Sequence, residues 1–269
     1  MHDIGAEVGE VASVPLDEAI LAQSCTVEGP KAAPPLLFVH GIHLGRFSWL
    51  PHVQILRDRF RVATIDLPRH GTMVDVPFTR ENLDRQLTYI TTAVLDRPPI
   101  VVGYSLGGYV AILFAHDHPP HTQGLVICGT PLDPTGWRRF AFRAFVGMKT
   151  RLPVRFFEFG SNLFFKTTLP RPLAQAIIAS PFDQRAFEEA YAEFSRLEFS
   201  PMLAAYDKSL CVVNGQWDLF FRMETKKFAR SEQDILKTIA RSAHVFPLRR
   251  PKEFCDIVAR FAHSVAPRS

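Results

Sequence analysis

The residue best placed to do chemistry is Ser105, set in Gly103-Tyr104-Ser105-Leu106-Gly107-Gly108. A serine hydroxyl is a weak nucleophile until a turn exposes it and a base takes its proton. Ile100-Val101-Val102 before it reads as a strand buried on both faces. Residues 109–115 after it read as a buried helix that ends before His118-Pro119-Pro120. Ser105 must then occupy a strained strand-to-helix turn, with glycine at 103 and 107 because side chains there would strike the flanking strand and helix. The turn aims the amino end of the helix at the hydroxyl, so the Leu106 N–H is expected to hold an oxyanion. The uncharged stretch resembles a membrane span, but the glycine turn divides it and each half is too short to cross a bilayer. Taken alone, the pentapeptide favours a catalytic serine over an incidental one in a glycine-rich turn, but short motifs recur by accident, so other residues must carry the argument.

The elements that would position such a serine are short and apolar. Runs at 36–39, 61–66, 125–128 and 210–213 read as further strands, and segments 49–58 and 79–95 as helices. Residues 16–28 read as a first short strand or hairpin. Strands of about four apolar residues alternating with helices imply a parallel sheet covered on both faces. The run at 36–39 leads directly into His40-Gly41-Ile42. The Ile42 N–H there is the expected second oxyanion donor, although His40-Gly41 also fits a plain strand exit.

With these residues in hand, the chain resembles the α/β-hydrolase superfamily. The resemblance rests on His40-Gly41, on the turn Asp66-Leu67-Pro68-Arg69-His70-Gly71 and on the serine turn. It departs at Arg69, where many members carry glycine. The resemblance implies an α/β-hydrolase fold: a mostly parallel central sheet, helices on both faces and a helical cap insertion. It further implies the chain order serine, acid, histidine, each after a strand. His244 is the only histidine between 121 and 263, and so the implied base. Asp218 follows a strand and a glycine turn and is the favoured acid; Asp133, after the preceding strand, stays open as the alternative. The implied activity is that of a serine hydrolase cleaving a carboxylic ester with an apolar moiety through an acyl-enzyme. Carbon–carbon bond hydrolases, a related menaquinone-pathway lyase, thioesterases and haloperoxidases share the same core. The lyase typically carries arginine after Gly-Gly, where this chain has Tyr109. A non-catalytic ligand-binding member is the competitor from a different class.

Composition bounds the rest. The 269 residues suffice for a core at 1–134 and 206–269 and an insertion at 135–205, where 12 of the 23 phenylalanines fall. That insertion reads as a cap lining an apolar pocket, or as helices with a core of their own. A net charge of +4, with basic residues scattered, argues against nucleic acid as a partner. The segment 137–151 is basic and aromatic, which makes membrane-surface contact a secondary expectation. The partner expected first is a small apolar ester, and no metal or organic cofactor is implied. Four cysteines without CxxC spacing and an acidic start without an apolar core make the cytoplasm the expected location. His43 and His70 read as loop residues near the rim of the site, most simply at the surface. His116, His118 and His121 read as an exposed helix terminus with no carboxylate beside them.

Overall fold

The computed structural model describes residues 16–130, 140, 143–144, 146–147, 154–218, 234–239 and 241–265. The apolar runs become strands β2 (Pro35–Val39), β3 (Arg61–Ile65), β4 (Ile100–Tyr104), β5 (Gly124–Cys128) and β6 (Ser209–Gly215). With β1 (Cys25–Glu28) and β7 (Ile235–Ile239) they form one seven-stranded sheet in the order β1-β3-β2-β4-β5-β6-β7. β1 runs antiparallel to β3 and every other pair is parallel.

Alternate residues of the strands feed two cores. Leu37, Val39, Val101, Leu125 and Val212 face helices α3 (Arg80–Tyr89), α4 (Leu106–Asp117) and α8 (Phe199–Ala205). Leu36, Phe38, Val102, Val126 and Val213 face α2 (Leu50–Leu56) and α10 (Pro251–Val265). Both faces are covered, so the strands read as continuous apolar runs rather than as alternating ones. β2 lies between β3 and β4, so the connections leaving β2 and β4 diverge and open a crevice at their carboxyl ends. The loop with Ile42 and the turn with Ser105 meet there.

Two local expectations need correction. Residues 16–28 begin as a helix, α1 (Glu18–Gln23), capped by Asp17, whose Oδ1 accepts the Ile20 N–H at 2.8 Å. Only Cys25–Glu28 is strand. β7 was not anticipated: it is an edge strand with three exposed residues among its five, too polar to stand out as a core run.

Among the described residues between β5 and β6 lie the helices α5 (Val154–Thr168), α6 (Arg171–Ile178), α7 (Arg185–Phe194) and α8. Phe165, Leu169, Leu173 and Ile177 pack into the core cluster that holds Trp49, and Phe194 and Phe199 into the one that holds Tyr109. The short helix α9 (Phe246–Arg249) precedes α10. Among the described residues no helix is long and apolar enough to cross a membrane. Asp133 and most of segment 137–151 lie outside the described residues.

Candidate active site

Ser105 sits at φ 53°, ψ −114° between β4 and α4. This region is costly for a side chain with a Cβ, about 1–3 kcal/mol, and persists only where neighbours enforce it. Here the Ser105 N–H donates to Cys128 O at 2.9 Å, and Thr130 Oγ1 donates to Ser105 O at 2.9 Å. The glycines behave as the sequence predicts. A Cβ at 107 would lie 2.3 Å from Val39 O of β2, and one at 103 would lie 2.4 Å from Gly107 O of the helix. Leu106 is the first residue of α4, so its N–H has no acceptor within the helix. Across the crevice, a Cβ built on Gly41 would fall 3.2 Å from Ser105 Cβ, which brings the backbone leading into Ile42 to the serine.

Asp218 and His244 come from the loops after β6 and β7. Asp218 Oδ2 and His244 Nδ1 are 3.2 Å apart, with the carboxylate buried and the imidazole part-exposed. The two loops are laced by backbone bonds: the Trp217 N–H donates to Ser242 O at 2.8 Å, and the Gln216 N–H to Ile239 O at 2.9 Å. Two further groups brace His244. Tyr104 Oη, from the residue just before the serine, donates to His244 O at 3.2 Å. Gly129, at φ 56°, leaves room for the imidazole: a Cβ there would lie 3.1 Å from both Cε1 and Nδ1. Neither brace was foreseen, since nothing in the spacing of 104, 129 and 244 links them.

The loops after β2 and β3 are clasped by two histidines. The Leu67 N–H donates to His40 Nε2 at 3.0 Å, so His40 carries its proton on Nδ1 and gives it to Gly41 O at 2.8 Å. Reciprocally, the His43 N–H donates to His70 Nε2 at 3.1 Å, and His70 Nδ1–H donates to Pro68 O at 2.8 Å. The rings meet edge-on, 4.8 Å apart. Burial pushes His40 down to about 4 and His70 down to about 3, so both are neutral at physiological pH. His70 is thus not a surface residue. It is fully buried, and its residue type carried no signal of that.

Arg69, the departure in the same turn, has φ 65° and a side chain only 1% exposed. Its guanidinium forks onto Glu189 of α7, with Nε to Oε2 at 2.9 Å and Nη2 to Oε1 at 2.7 Å, and Asp183 lies 3.6 Å away. The chain around Phe182 is stitched to this turn, as the Gly71 N–H donates to Pro181 O at 2.8 Å and the Asp183 N–H to Arg69 O at 3.0 Å. The Phe182 ring packs at a tilt against His43 and His70, with centroids 4.5 and 4.9 Å away.

His118 pairs with Asp84 of α3, so the helix-end histidines do have a carboxylate beside them. Among the described residues, no group of three or more His, Cys, Asp or Glu could hold a metal ion. All four cysteines are free, and burial pushes Cys211 and Cys255 up to about 12.

A mostly parallel sheet with a strained serine at the end of its central strand and an Asp–His pair on later loops is the plan of an α/β hydrolase. The chain belongs to the Alpha/beta hydrolase family, whose pattern matches residues 36–257. It is 36% identical over 112 residues to a pimeloyl-[acyl-carrier protein] methyl ester esterase of Nitrosomonas europaea, a match covering 40% of this chain and 42% of that protein. The chain thus spans less than half the length of that relative. A monoacylglycerol lipase of Bos taurus, ABHD6, is 22% identical over 263 residues, covering 88% of this chain and 77% of that one. In structure the chain is similar to MenH from S. aureus, with a TM-score of 0.74 and 19% identity over 91% of this chain and 99% of that one. At that identity the likeness speaks for the fold alone.

Proposed function

We propose that this protein is a serine hydrolase acting on a carboxylic ester with an apolar acyl or alcohol portion, with residues 135–205 as its cap. The observation that carries the reading is the Asp218–His244 contact of 3.2 Å on the loops following β6 and β7. With Nδ1–H directed at the Asp218 carboxylate, His244 Nε2 is left to accept the Ser105 proton. Ser105 Oγ attacks the ester carbonyl, and the Leu106 and Ile42 N–H groups hold the oxyanion. His244 returns the proton to the leaving alcohol, Asp218 stabilising the imidazolium meanwhile. Water, activated by the same histidine, then releases the acid.

Two relatives named for ester cleavage, a methyl ester esterase and a monoacylglycerol lipase, support the ester over other bonds. Tyr109 after Gly-Gly weighs against the lyase reading. The test is fluorophosphonate labelling alongside hydrolysis of short- and long-chain nitrophenyl esters. Wild type should label and turn over, and Ser105→Ala should do neither. A folded wild type that neither labels nor cleaves any ester would refute the proposal.

A further inference from the structure

Helix α5 is apolar on two opposite sides. Its inner side is anchored, since Phe165, and Leu169 just past the helix end, are buried in the core cluster with Leu173 and Ile177. Its outer side carries Phe156, Phe159, Leu163 and Phe164, exposed by 58%, 69%, 53% and 44%. Offsets of three, four and one residues place these four on one face of the helix. A helix that only covers a core presents polar residues to water, and contiguous exposed aromatics mark a surface that meets something apolar. Phe140, earlier in the same insertion, is 78% exposed.

Charge identifies the occupant. Arg155 and Lys166 are exposed beside the apolar stripe, with the Arg155 guanidinium 5.2 Å from the Phe156 ring centroid. Arg143 and Arg171, on neighbouring segments, are exposed as well. In sequence, residues 134–182 hold eight lysines and arginines against a single acid, Glu158, while the whole chain is only +4. The rest of the chain is therefore net negative in sequence, and the described cations of this stretch, Arg143, Arg155, Lys166 and Arg171, are all exposed. Aromatic and leucine side chains flanked by arginine and lysine suit the boundary between headgroups and acyl chains of an anionic bilayer.

We propose that the outer face of α5 docks the protein on an anionic phospholipid surface, with Phe156, Phe159, Leu163 and Phe164 entering the interface and Arg155 and Lys166 meeting the headgroups. The docking is peripheral and does not depend on the chemistry at Ser105.

The test is flotation of the full chain with equimolar phosphatidylglycerol–phosphatidylcholine vesicles and with phosphatidylcholine alone. Wild type should float with the anionic vesicles, should be released by high salt, and should bind phosphatidylcholine weakly. Phe156→Ser with Phe159→Ser should weaken the partition at least about tenfold. Arg155→Gln with Lys166→Gln should weaken it about fivefold per charge removed and flatten the salt dependence. Phe159→Cys carrying an environment-sensitive dye should shift to the blue on anionic vesicles, a readout that does not require the double phenylalanine variant to fold. Absence of wild-type flotation with anionic vesicles, or no dye shift, would overturn the proposal. So would sedimentation equilibrium showing a dimer abolished by the phenylalanine substitutions, since a second copy would then own the face.

Discussion

Arg69 offers a direct test of how the turn after β3 is held. Its backbone lies at φ 65°, a conformation that favours glycine, yet its side chain is 1% exposed and forked onto Glu189. Two opposed effects follow from substitution. Losing the fork leaves Glu189 facing a buried gap, with the Phe78 N–H still donating to its Oε2 at 2.6 Å. Breaking a fully buried pair costs about 3–5 kcal/mol; Glu189 is a quarter exposed and keeps some water, so about 3 kcal/mol is expected for Arg69→Ala. Arg69→Gly loses the same fork but relieves the left-handed strain, worth about 1 kcal/mol, so it should cost about 2 kcal/mol. Backbone bonds of residue 69 to Met73, Val76 and Asp183 survive both changes, so the difference isolates strain from ion pairing. Urea denaturation followed by circular dichroism, with Glu189→Gln completing a double-mutant cycle, measures each figure. An alanine variant as stable as wild type, or a glycine variant less stable than alanine, would refute the account.

Further outcomes follow from the same geometry. Asp218→Asn should lower kcat for a nitrophenyl ester by about 10⁴-fold, while Asp133→Asn stays near wild type; the reverse order would transfer the acid's role to Asp133. Gly129→Ala, at φ 56° and 3.1 Å from the His244 ring, should cost about 1–2 kcal/mol of stability and depress kcat well beyond that loss, checked by melting and steady-state kinetics together. His70→Phe removes the bond from the His43 N–H to His70 Nε2 and should lower kcat about tenfold or more with little change in KM; equal kcat would show that the clasp does not position the Ile42 loop. Acid should unfold the protein steeply. Burial holds His40 at about 4, and His52 and His70 at about 3, below their unfolded values. The stability they provide as neutral groups is present above pH ~6.5 and is lost as pH falls towards those values. Together they should remove about 4 kcal/mol per pH unit between roughly pH 6 and 4, and His52→Gln should shrink that slope by about a third in urea titrations across pH.

The sequence by itself determined whatever is local or periodic. Ile100-Val101-Val102 and the other apolar runs announce doubly covered strands, because a strand buried on both faces needs no polar side. The glycines around Ser105 announce the tight turn, because only hydrogen fits where β2 and α4 press against it. Tertiary structure decided what depends on residues distant in the chain. It brought Asp218 to His244, laid Tyr104 Oη against His244 O, and closed His40 and His70 into a reciprocal clasp. It turned Arg69, a misfit for its backbone conformation, into the partner of Glu189, 120 residues on. A histidine or arginine has the same identity on a surface as in a core. Only the loops that fold over it, and the donors and acceptors they bring, settle which state it occupies.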